Sequence, residues 1–265
     1  MISIFTYFRP YYDNNSKYSF TENINEKDNF SFYITSDIHF LSKDLTDNGD
    51  AFCEFNKSSD GKELEHINDI FDAFTEEVKA NKPDFLIISG DLTLNGEKKS
   101  HLALSSKLQD IKNSGFPVYV IPGNHDINNP WARKFNEENQ LKTDYISKDD
   151  FAIIYSDFGY KDAISRDSYS LSYLVAPSNN LWLLMIDDNY YENNISLNYP
   201  EANGHISKNT LKWINSCSKL AREKGAKIVA VSHHNLLKHS DYVYEGFTLD
   251  NSDEVIKCFK NNNIN

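Results

Sequence analysis

Three short apolar runs alternate with two segments of helical periodicity in the first half of the chain, and this alternation constrains the fold most strongly. The runs cover residues 30–35, 85–88 and 118–121, and the last two are continuously apolar. Continuous apolar character is typical of strands that are covered on both faces of a sheet. Between the runs, apolar residues recur at helical spacing over 64–78 and 102–111. The order predicts βαβ units on a parallel sheet with right-handed crossovers.

The alternation of strands and helices is interrupted over residues 127–167, which are polar and aromatic. One helix is predicted in this segment, over 149–157. Strands are then predicted over 168–175, 181–186 and 227–231, and helices from about residue 207 and over 253–260. Residues 1–29 are polar and turn-rich and predict an irregular N-terminal arm. We therefore expect one α/β domain with two sheets over 30–265.

The composition and charge of the chain exclude several classes of protein. No stretch approaches the ~20 apolar residues that a membrane span needs, and the first residues lack the basic start of a secretory signal. The chain has 27 basic and 39 acidic residues, and this net charge of −12 disfavours a nucleic-acid partner. The scattered Cys53, Cys217 and Cys258 predict free thiols, and the default location is the cytoplasm unless an altered N-terminus hides an export signal. The pattern indicates no oligomeric state.

Four short polar clusters follow predicted strands at the points where those strands end. Asp37 and His39 follow the first strand, Asp91 the second and Asn124 the third, and His233 follows a later one. Ligands bind outside the carboxyl ends of strands in parallel α/β sheets. We therefore expect the four clusters to converge on one edge.

The residue types in these clusters suit a pair of metal ions. Asp37 and His39 are two residues apart, so an extended backbone would aim both side chains to the same face. The carboxylate of Asp91 has two oxygens and can bridge two cations. Carboxylate, amide and imidazole ligands together fit Mn²⁺, Fe or Zn²⁺. Each cluster alone is compatible with an ordinary polar turn, and their ordered conjunction favours metal binding.

The clusters match, in order, the signature of the calcineurin-like metallophosphoesterase superfamily, which the chain resembles over residues 31 to about 239. The matching elements are Asp37-x-His39, Gly90-Asp91-(x)4-Gly96, Gly123-Asn124-His125-Asp126 and His233-His234. The resemblance implies a four-layered αββα sandwich with two mixed sheets and a dinuclear centre between the sheet edges. It also implies hydrolysis of a phosphate ester by a water that bridges two metal ions of Mn, Fe or Zn.

The resemblance implies a role for each residue of the signature. Asp37 and His39 would hold the first metal ion, and Asp91 would bridge the pair. Asn124 and His233 would hold the second ion. His125 would be the catalytic residue, because family members use it to stabilise the transition state or to protonate the leaving oxygen. The alternative for His125 is a structural histidine that holds its loop.

Departures from the family pattern narrow the expected substrate. Residues 90–96 lack the Asp-Arg pair of the protein Ser/Thr phosphatases, and Asp126 stands where those enzymes have Glu. The motifs are more similar to those of bacterial cyclic-nucleotide and glycerophosphodiester phosphodiesterases, or of a relative of the purple acid phosphatases. We therefore expect a small-molecule phosphate ester, with a phosphodiester favoured over a phosphomonoester.

Three further residues are candidates for substrate binding: His234, Arg133 and Arg166. The two arginines lie in the 127–167 segment, which we expect to form an insertion that caps the active site, with Trp131 and Tyr155 as further lining residues. The alternative is a solvated loop that covers the core.

The Gly-His-x-His element of the family has no counterpart in this sequence. The segment 204–207 reads Gly-His-Ile-Ser, lacks the second histidine and precedes His233. The sequence ends at residue 265, about where the element would begin. We therefore expect the second sheet to lack its C-terminal strand or strands, which favours a piece of a longer protein over a divergent member with a depleted site.

Two other functions are compatible with the sequence. One is a catalytically silent scaffold that keeps the fold and mediates protein contacts. The other is an unrelated α/β protein with a fortuitous mononuclear metal site. The number of metal ions bound per chain distinguishes the unrelated protein, and turnover of bis-p-nitrophenyl phosphate with Mn²⁺ distinguishes the scaffold.

The missing element predicts an incomplete metal complement in protein of this sequence. Gly-His-x-His gives one histidine to each metal ion in the family, so each ion would have to fill an open position with water. We expect elemental analysis of the purified protein to find transition metal nearer one ion than two per chain. A tightly held pair would contradict this expectation and would require a ligand that the sequence does not reveal.

Overall fold

The computed structural model describes residues 29–59, 61–238, 240–242 and 246–264, so all but the last residue of the predicted N-terminal arm lies outside the described residues. The strands are β1 (Phe32–Thr35), β2 (Phe85–Ser89), β3 (Val118–Ile121), β4 (Arg133–Asn136), β5 (Asn139–Lys142), β6 (Ser165–Arg166), β7 (Tyr173–Val175), β8 (Leu181–Met185) and β9 (Lys227–Val231). The helices are α1 (Asp50–Lys57), α2 (Ile67–Asn81), α3 (Lys98–Asn113), α4 (Lys148–Ile154), α5 (Asn194–Leu197), α6 (Lys208–Lys224) and α7 (Ser252–Asn262). A 3₁₀ turn covers Lys43–Leu45 and a π-helical turn covers Ser156–Tyr160.

The first sheet has the order β1-β2-β3, and both of its strand pairs are parallel. Every residue of β2 and β3 is buried, which explains their continuously apolar sequences. The crossover helices α2 and α3 bury the apolar positions of their 3.6-residue repeats, such as Val78 and Leu104, in the same core as these strands. The predicted βαβαβ unit is confirmed.

The second sheet has the order β6-β7-β8-β9, in which the first two pairs are antiparallel and β8 and β9 are parallel. Helices α6 and α7 cover one face, where Trp182 packs in one cluster with Ile214 and Val255. The other face packs against the first sheet, and the Tyr173 hydroxyl donates a hydrogen bond to the Val120 carbonyl, 2.9 Å away. The expected four-layered α/β sandwich is confirmed. Only the second sheet is mixed among the described residues, since the first is parallel throughout.

The strand predicted over 168–175 is wrong in its first half. The chain turns sharply after β6, because the Asp167 carboxylate accepts hydrogen bonds from the backbone N–H of Tyr169 and the hydroxyl of Ser170. Side chains that bind nearby backbone groups favour turns over strand pairing. Only the part from Tyr173 onward pairs with β8.

The 127–167 segment contains more structure than its sequence predicts. Strands β4 and β5 form an antiparallel hairpin whose residues are mostly exposed, so they carry no alternating apolar pattern. Helix α4 is confirmed, with Ser147 and Asp150 forming the reciprocal capping hydrogen bonds. The helix is shorter than predicted, because it gives way at Ser156 to the π-helical turn. None of the helices in the described ranges is long and apolar enough to cross a membrane.

Close packing of the π-helical turn against Tyr173 of β7 leaves no room for a side chain at Gly159, and this is testable against a matched glycine. Gly159 and Gly115 have nearly equal φ values, +106° and +107°. A Cβ at Gly159 would lie 2.7 Å from the ring of Tyr173, whereas a Cβ at Gly115 meets nothing within 4 Å.

We expect Gly115→Ala to cost only the left-handed backbone penalty of ~1–2 kcal/mol. Gly159→Ala should cost that amount plus ~1–3 kcal/mol for overpacking against Tyr173. Urea unfolding of the two variants measures the difference. Equal losses would contradict the close contact between Gly159 and Tyr173.

Candidate metal centre

The loops after β1 and β2 are joined edge to edge beyond the strands. The backbone N–H of Asp37 donates to the Gly90 carbonyl, and that of His39 donates to the Asp91 carbonyl. Asp37, His39 and Asp91 all have positive φ, between 47° and 54°. This conformation is uncommon for residues other than glycine, and such strain clusters at functional sites.

The expectation of an extended backbone at Asp37-x-His39 is therefore wrong. The two side chains nevertheless come together, with 3.9 Å between His39 Nε2 and Asp37 Oδ1. The left-handed backbone after β1 therefore brings the side chains of Asp37 and His39 close together, as their spacing predicts. His39 is buried, whereas the Asp37 carboxylate is largely open to solvent.

The buried carboxylate of Asp91 stands between two imidazoles. Its Oδ2 lies 3.6 Å from Nε2 of His39, and its Oδ1 lies 3.5 Å from Nε2 of His233. Oδ1 also accepts the backbone N–H of His125, at 2.9 Å. The two carboxylate oxygens thus face two different groups of side chains.

His233 and Asn124 complete the second of these groups. His233 Nε2 is 3.2 Å from Asn124 Oδ1, and its Nδ1 is 2.9 Å from the Ser89 carbonyl. Donation from Nδ1–H to that carbonyl leaves the Nε2 lone pair facing Asp91 and Asn124. The ring fits because residue 90 is glycine, since a Cβ there would lie 2.6 Å from Cγ of His233.

The spacing of these donor atoms fits metal ions held between them. Zn²⁺ lies ~2.0–2.2 Å from nitrogen and oxygen ligands, so two ligands of one ion are ~3–3.5 Å apart. The 3.5 and 3.6 Å separations about Asp91 are close to this spacing and long for direct hydrogen bonds. Donor atoms of Asp37, Asp91 and His233 also lie within 4.8 Å of one another. Carboxylate, amide and imidazole at these distances suit divalent transition ions.

Burial and neighbouring charges shift the pKa values of the candidate ligands in different directions. Burial lowers the pKa of His39 to about 4, although the Asp91 carboxylate opposes the shift, so this imidazole is neutral at pH 7. Burial also raises the pKa of Asp91, but three neighbouring imidazoles outweigh it and hold that pKa below its usual value. The centre therefore presents the ionised carboxylate of Asp91 beside the neutral imidazole of His39. Burial lowers the pKa of His233, but the Asp91 and Asp188 carboxylates outweigh it and hold that pKa above its usual value, so a cation at His233 competes with a proton.

His125 lies beside the donor atoms with its side chain anchored elsewhere. Its Nδ1 is 2.9 Å from the Leu94 carbonyl and 3.1 Å from Oδ1 of Asn95. Its half-buried ring meets the ring of His39 edge to face, at 5.0 Å between centroids. The Nδ1–H is used on the loop, which leaves Nε2 as the nitrogen available for other contacts.

Asp126 braces the same loop from inside the protein. Its fully buried carboxylate accepts the backbone N–H groups of Leu92, Thr93 and Gly123. Burial, with the nearby Asp91 charge, raises the pKa of Asp126 to about 7. These hydrogen bonds tie the Asp91 loop to the Asn124 loop.

The predicted substrate-binding residues have other partners. The Arg133 guanidinium donates to the Pro130 and Ala132 carbonyls, and Arg166 donates to the Tyr160 carbonyl and lies over that ring. No described contact brings either arginine to the metal centre, so their role in substrate binding stays a prediction.

Two of the remaining candidates are buried. Tyr155 is fully buried and hydrogen-bonded to His101, so the suggestion that it lines a substrate pocket is wrong. His234 is buried against Asp188, and its ring contacts that of His233. Trp131 is 43% exposed, and its indole N–H donates to the Asn198 carbonyl.

Sequence reasoning missed two residues beside the centre. Asn95 contacts the side chain of His125, and Asp188 contacts that of His234. A signal for Asp188 was available, because it follows β8, and β8 is parallel to β9, the strand that His233 follows. The sequence carries no such signal for Asn95, because it is one of the four unspecified residues of Gly90-Asp91-(x)4-Gly96.

Comparisons with known proteins define the family. A family model described as calcineurin-like phosphoesterase matches residues 30–264, and the chain therefore belongs to this family of metal-dependent phosphoesterases. The resemblance carried by the four motifs is confirmed. Among solved structures, a dimetal phosphatase from Danio rerio is similar, with a TM-score of 0.55 and 12% sequence identity over 88% of this chain and 77% of that one. That identity shows likeness of fold alone. No curated protein sequence matches the chain.

The loop that anchors His125 also contains a buried acid with a testable pH signature. Glu97 is fully buried, and burial raises its pKa from 4.5 to about 7. The native state therefore binds more protons than the unfolded state between these pH values, and the free energy of unfolding falls as pH rises through this range.

We expect Glu97→Gln to remove this loss, because the amide cannot ionise. In metal-free protein, the stability of the variant relative to wild type should rise by ~2–3 kcal/mol between pH 5 and pH 8. Urea unfolding at both pH values measures the change. Parallel pH dependence in the two proteins would show that Glu97 is not the titrating group.

Proposed function

We propose that the protein is a dinuclear phosphoesterase that hydrolyses a small-molecule phosphate ester. The observation that carries the proposal is the carboxylate of Asp91, whose two oxygens face separate imidazoles at 3.5 and 3.6 Å. A buried carboxylate in this position would serve as a ligand to two cations at once. Membership in a family of metal-dependent phosphoesterases supports the same conclusion.

The ligands that we propose follow the two groups about Asp91. Asp37 and His39, which lie on the Oδ2 side of Asp91, would hold one ion. Asn124 and His233, on the Oδ1 side, would hold the other. Bound there, two divalent ions, which we expect to be Mn, Fe or Zn, would supply Lewis-acid activation of the phosphate and of the attacking water.

His125 is the residue that we propose for proton transfer or for a hydrogen bond in the transition state. The Leu94 carbonyl fixes its Nδ1–H, so Nε2 is free to meet a phosphate oxygen or the leaving oxygen. Because the Leu94 carbonyl is neutral, it fixes the tautomer of His125 without adding a negative charge to that of Asp91. The ring therefore acts at the edge of the centre and is not itself a ligand.

The substrate that we favour is a small phosphodiester, with a phosphomonoester as the second choice. The spacer of the Gly90-Asp91 motif and Asp126 in the Asn124 motif support a phosphodiesterase. The net charge of −12 disfavours a polyanionic nucleic acid. Comparison of bis-p-nitrophenyl phosphate with p-nitrophenyl phosphate, each with added Mn²⁺, decides between the two ester classes.

Two substitutions distinguish the proposed roles of His125 and Asp91. His125→Ala should keep the metal content and lower kcat by ~10²–10⁴, since only transition-state stabilisation is lost. Asp91→Ala should lose metal and activity together, because it removes a ligand from both ions. Turnover of bis-p-nitrophenyl phosphate and metal content are measured on the same samples.

His66→Ala is the matched control, because His66 is exposed and no proposed role involves it. It should leave both quantities unchanged. Full activity in His125→Ala would remove the proposed catalytic role. Equal metal loss in His125→Ala and Asp91→Ala would make His125 a ligand or the residue that holds the loop.

A further inference from the structure

We propose that Asp188 and His234 form a buried positioning pair that holds the His233 loop in its metal-binding geometry. This inference rests on the proposed function. Both residues lie outside the proposed ligand set, and Asp188 also lies outside the four motifs.

Asp188 contacts His234 with both of its carboxylate oxygens. Oδ2 accepts the backbone N–H of His234 at 3.1 Å, and Oδ1 accepts from its Nδ1 at 2.9 Å. The Asp188 side chain is fully buried and that of His234 is 2% exposed. Hydrogen bonds to a buried carboxylate are costly to break, because the carboxylate would be left without partners.

The topology explains why this pair acts on His233. Strands β8 and β9 are parallel neighbours, so Asp188 after β8 lies beside the His233-His234 turn after β9. Asp188 fixes the peptide N–H that directly follows His233. The Ser89 carbonyl fixes the imidazole of His233 from the other sheet. His233 Nε2 is therefore aimed by one anchor on its ring and another on its backbone.

A second loop closes over the pair and excludes other arrangements. The backbone N–H of His205 donates to the Asp188 carbonyl at 2.7 Å. The neighbouring Gly204 lies against the His234 ring, where a Cβ would be 2.6 Å from Nδ1. The imidazoles of His234 and His233 meet edge to face at 4.9 Å between centroids. The His234 ring has little room to turn away from Asp188.

His234 works through Asp188 and not as a ligand. Among the described residues, the only side-chain hydrogen bond of His234 is the one to Asp188, and its Nε2 has no partner. Residues behind a metal-ligating histidine commonly contribute ~10–100-fold to metal affinity.

The test is a Co²⁺ titration of EDTA-treated protein, followed by the visible absorption of the bound ion. We expect Asp188→Asn and His234→Ala to weaken Co²⁺ binding by ~10–100-fold and to alter the spectrum. His234→Asn should bind nearly as wild type, because the amide Nδ2 can donate to Asp188 where Nδ1 does. Activity with Mn²⁺ is measured in parallel.

Asp167→Asn is the matched control. Asp167 is also buried and accepts hydrogen bonds from three residues, but it contacts neither metal-binding loop in the described structure. Urea unfolding should show comparable losses of stability in Asp167→Asn and Asp188→Asn, with Co²⁺ affinity lowered only in the latter.

Each outcome decides the proposal. Wild-type affinity in Asp188→Asn and His234→Ala would overturn the positioning role while leaving the proposed function intact. Equal weakening in His234→Ala and His234→Asn would also overturn it, because the donor to Asp188 would then be irrelevant. If Asp188→Asn does not fold, the two His234 variants give the same decision. Failure of wild type to bind Co²⁺ would overturn the proposed function and this inference together.

Discussion

The buried carboxylate of Asp91 is the constraint on which the rest of the site depends. Only 4% of the residue is exposed, and an ionised carboxylate at that depth is unstable without compensating charge or hydrogen bonds. Imidazoles on two sides and one backbone N–H provide part of that compensation. Two cations would supply the remaining compensation. The distances between the Asp91 oxygens and the imidazole nitrogens are close to those between two ligands of one metal ion.

The architecture brings those loops together at little cost to the core. The two sheets meet face to face between the helices, with Tyr173 bonded to the Val120 carbonyl across the interface. Loops from the ends of β1, β2 and β3 in one sheet, and β9 in the other, therefore reach the same place. Asp37, His39 and Asp91 keep their left-handed backbone because other contacts stabilise it. These contacts are the backbone hydrogen bonds between the loops after β1 and β2 and the buried hydrogen bonds of Asp126. Packing of the sandwich thus stabilises a backbone that its own local preferences disfavour.

The sequence predicts most of the fold, because each strand of the three parallel pairings has a distinct apolar signature. Strands β3 and β9 begin and end where the pattern predicts. The hairpin of β4 and β5 is not predictable from periodicity, since its side chains are exposed. At the site, residue type and position at strand ends predict which side chains converge. The left-handed turn at Asp37 depends on the hydrogen bonds that join its loop to Gly90 and Asp91, and these tertiary contacts are not encoded in any local pattern.

The central claim is that Asp91 is shared by two metal ions, and anomalous X-ray diffraction from crystals soaked with Mn²⁺ tests it most directly. The account predicts two anomalous peaks ~3.5–4 Å apart, one beside each oxygen of Asp91. The first peak should also lie next to His39 and the second next to His233, with unequal heights if one ion is held less tightly. A single peak or none at saturating Mn²⁺, or peaks away from Asp91, would contradict the account.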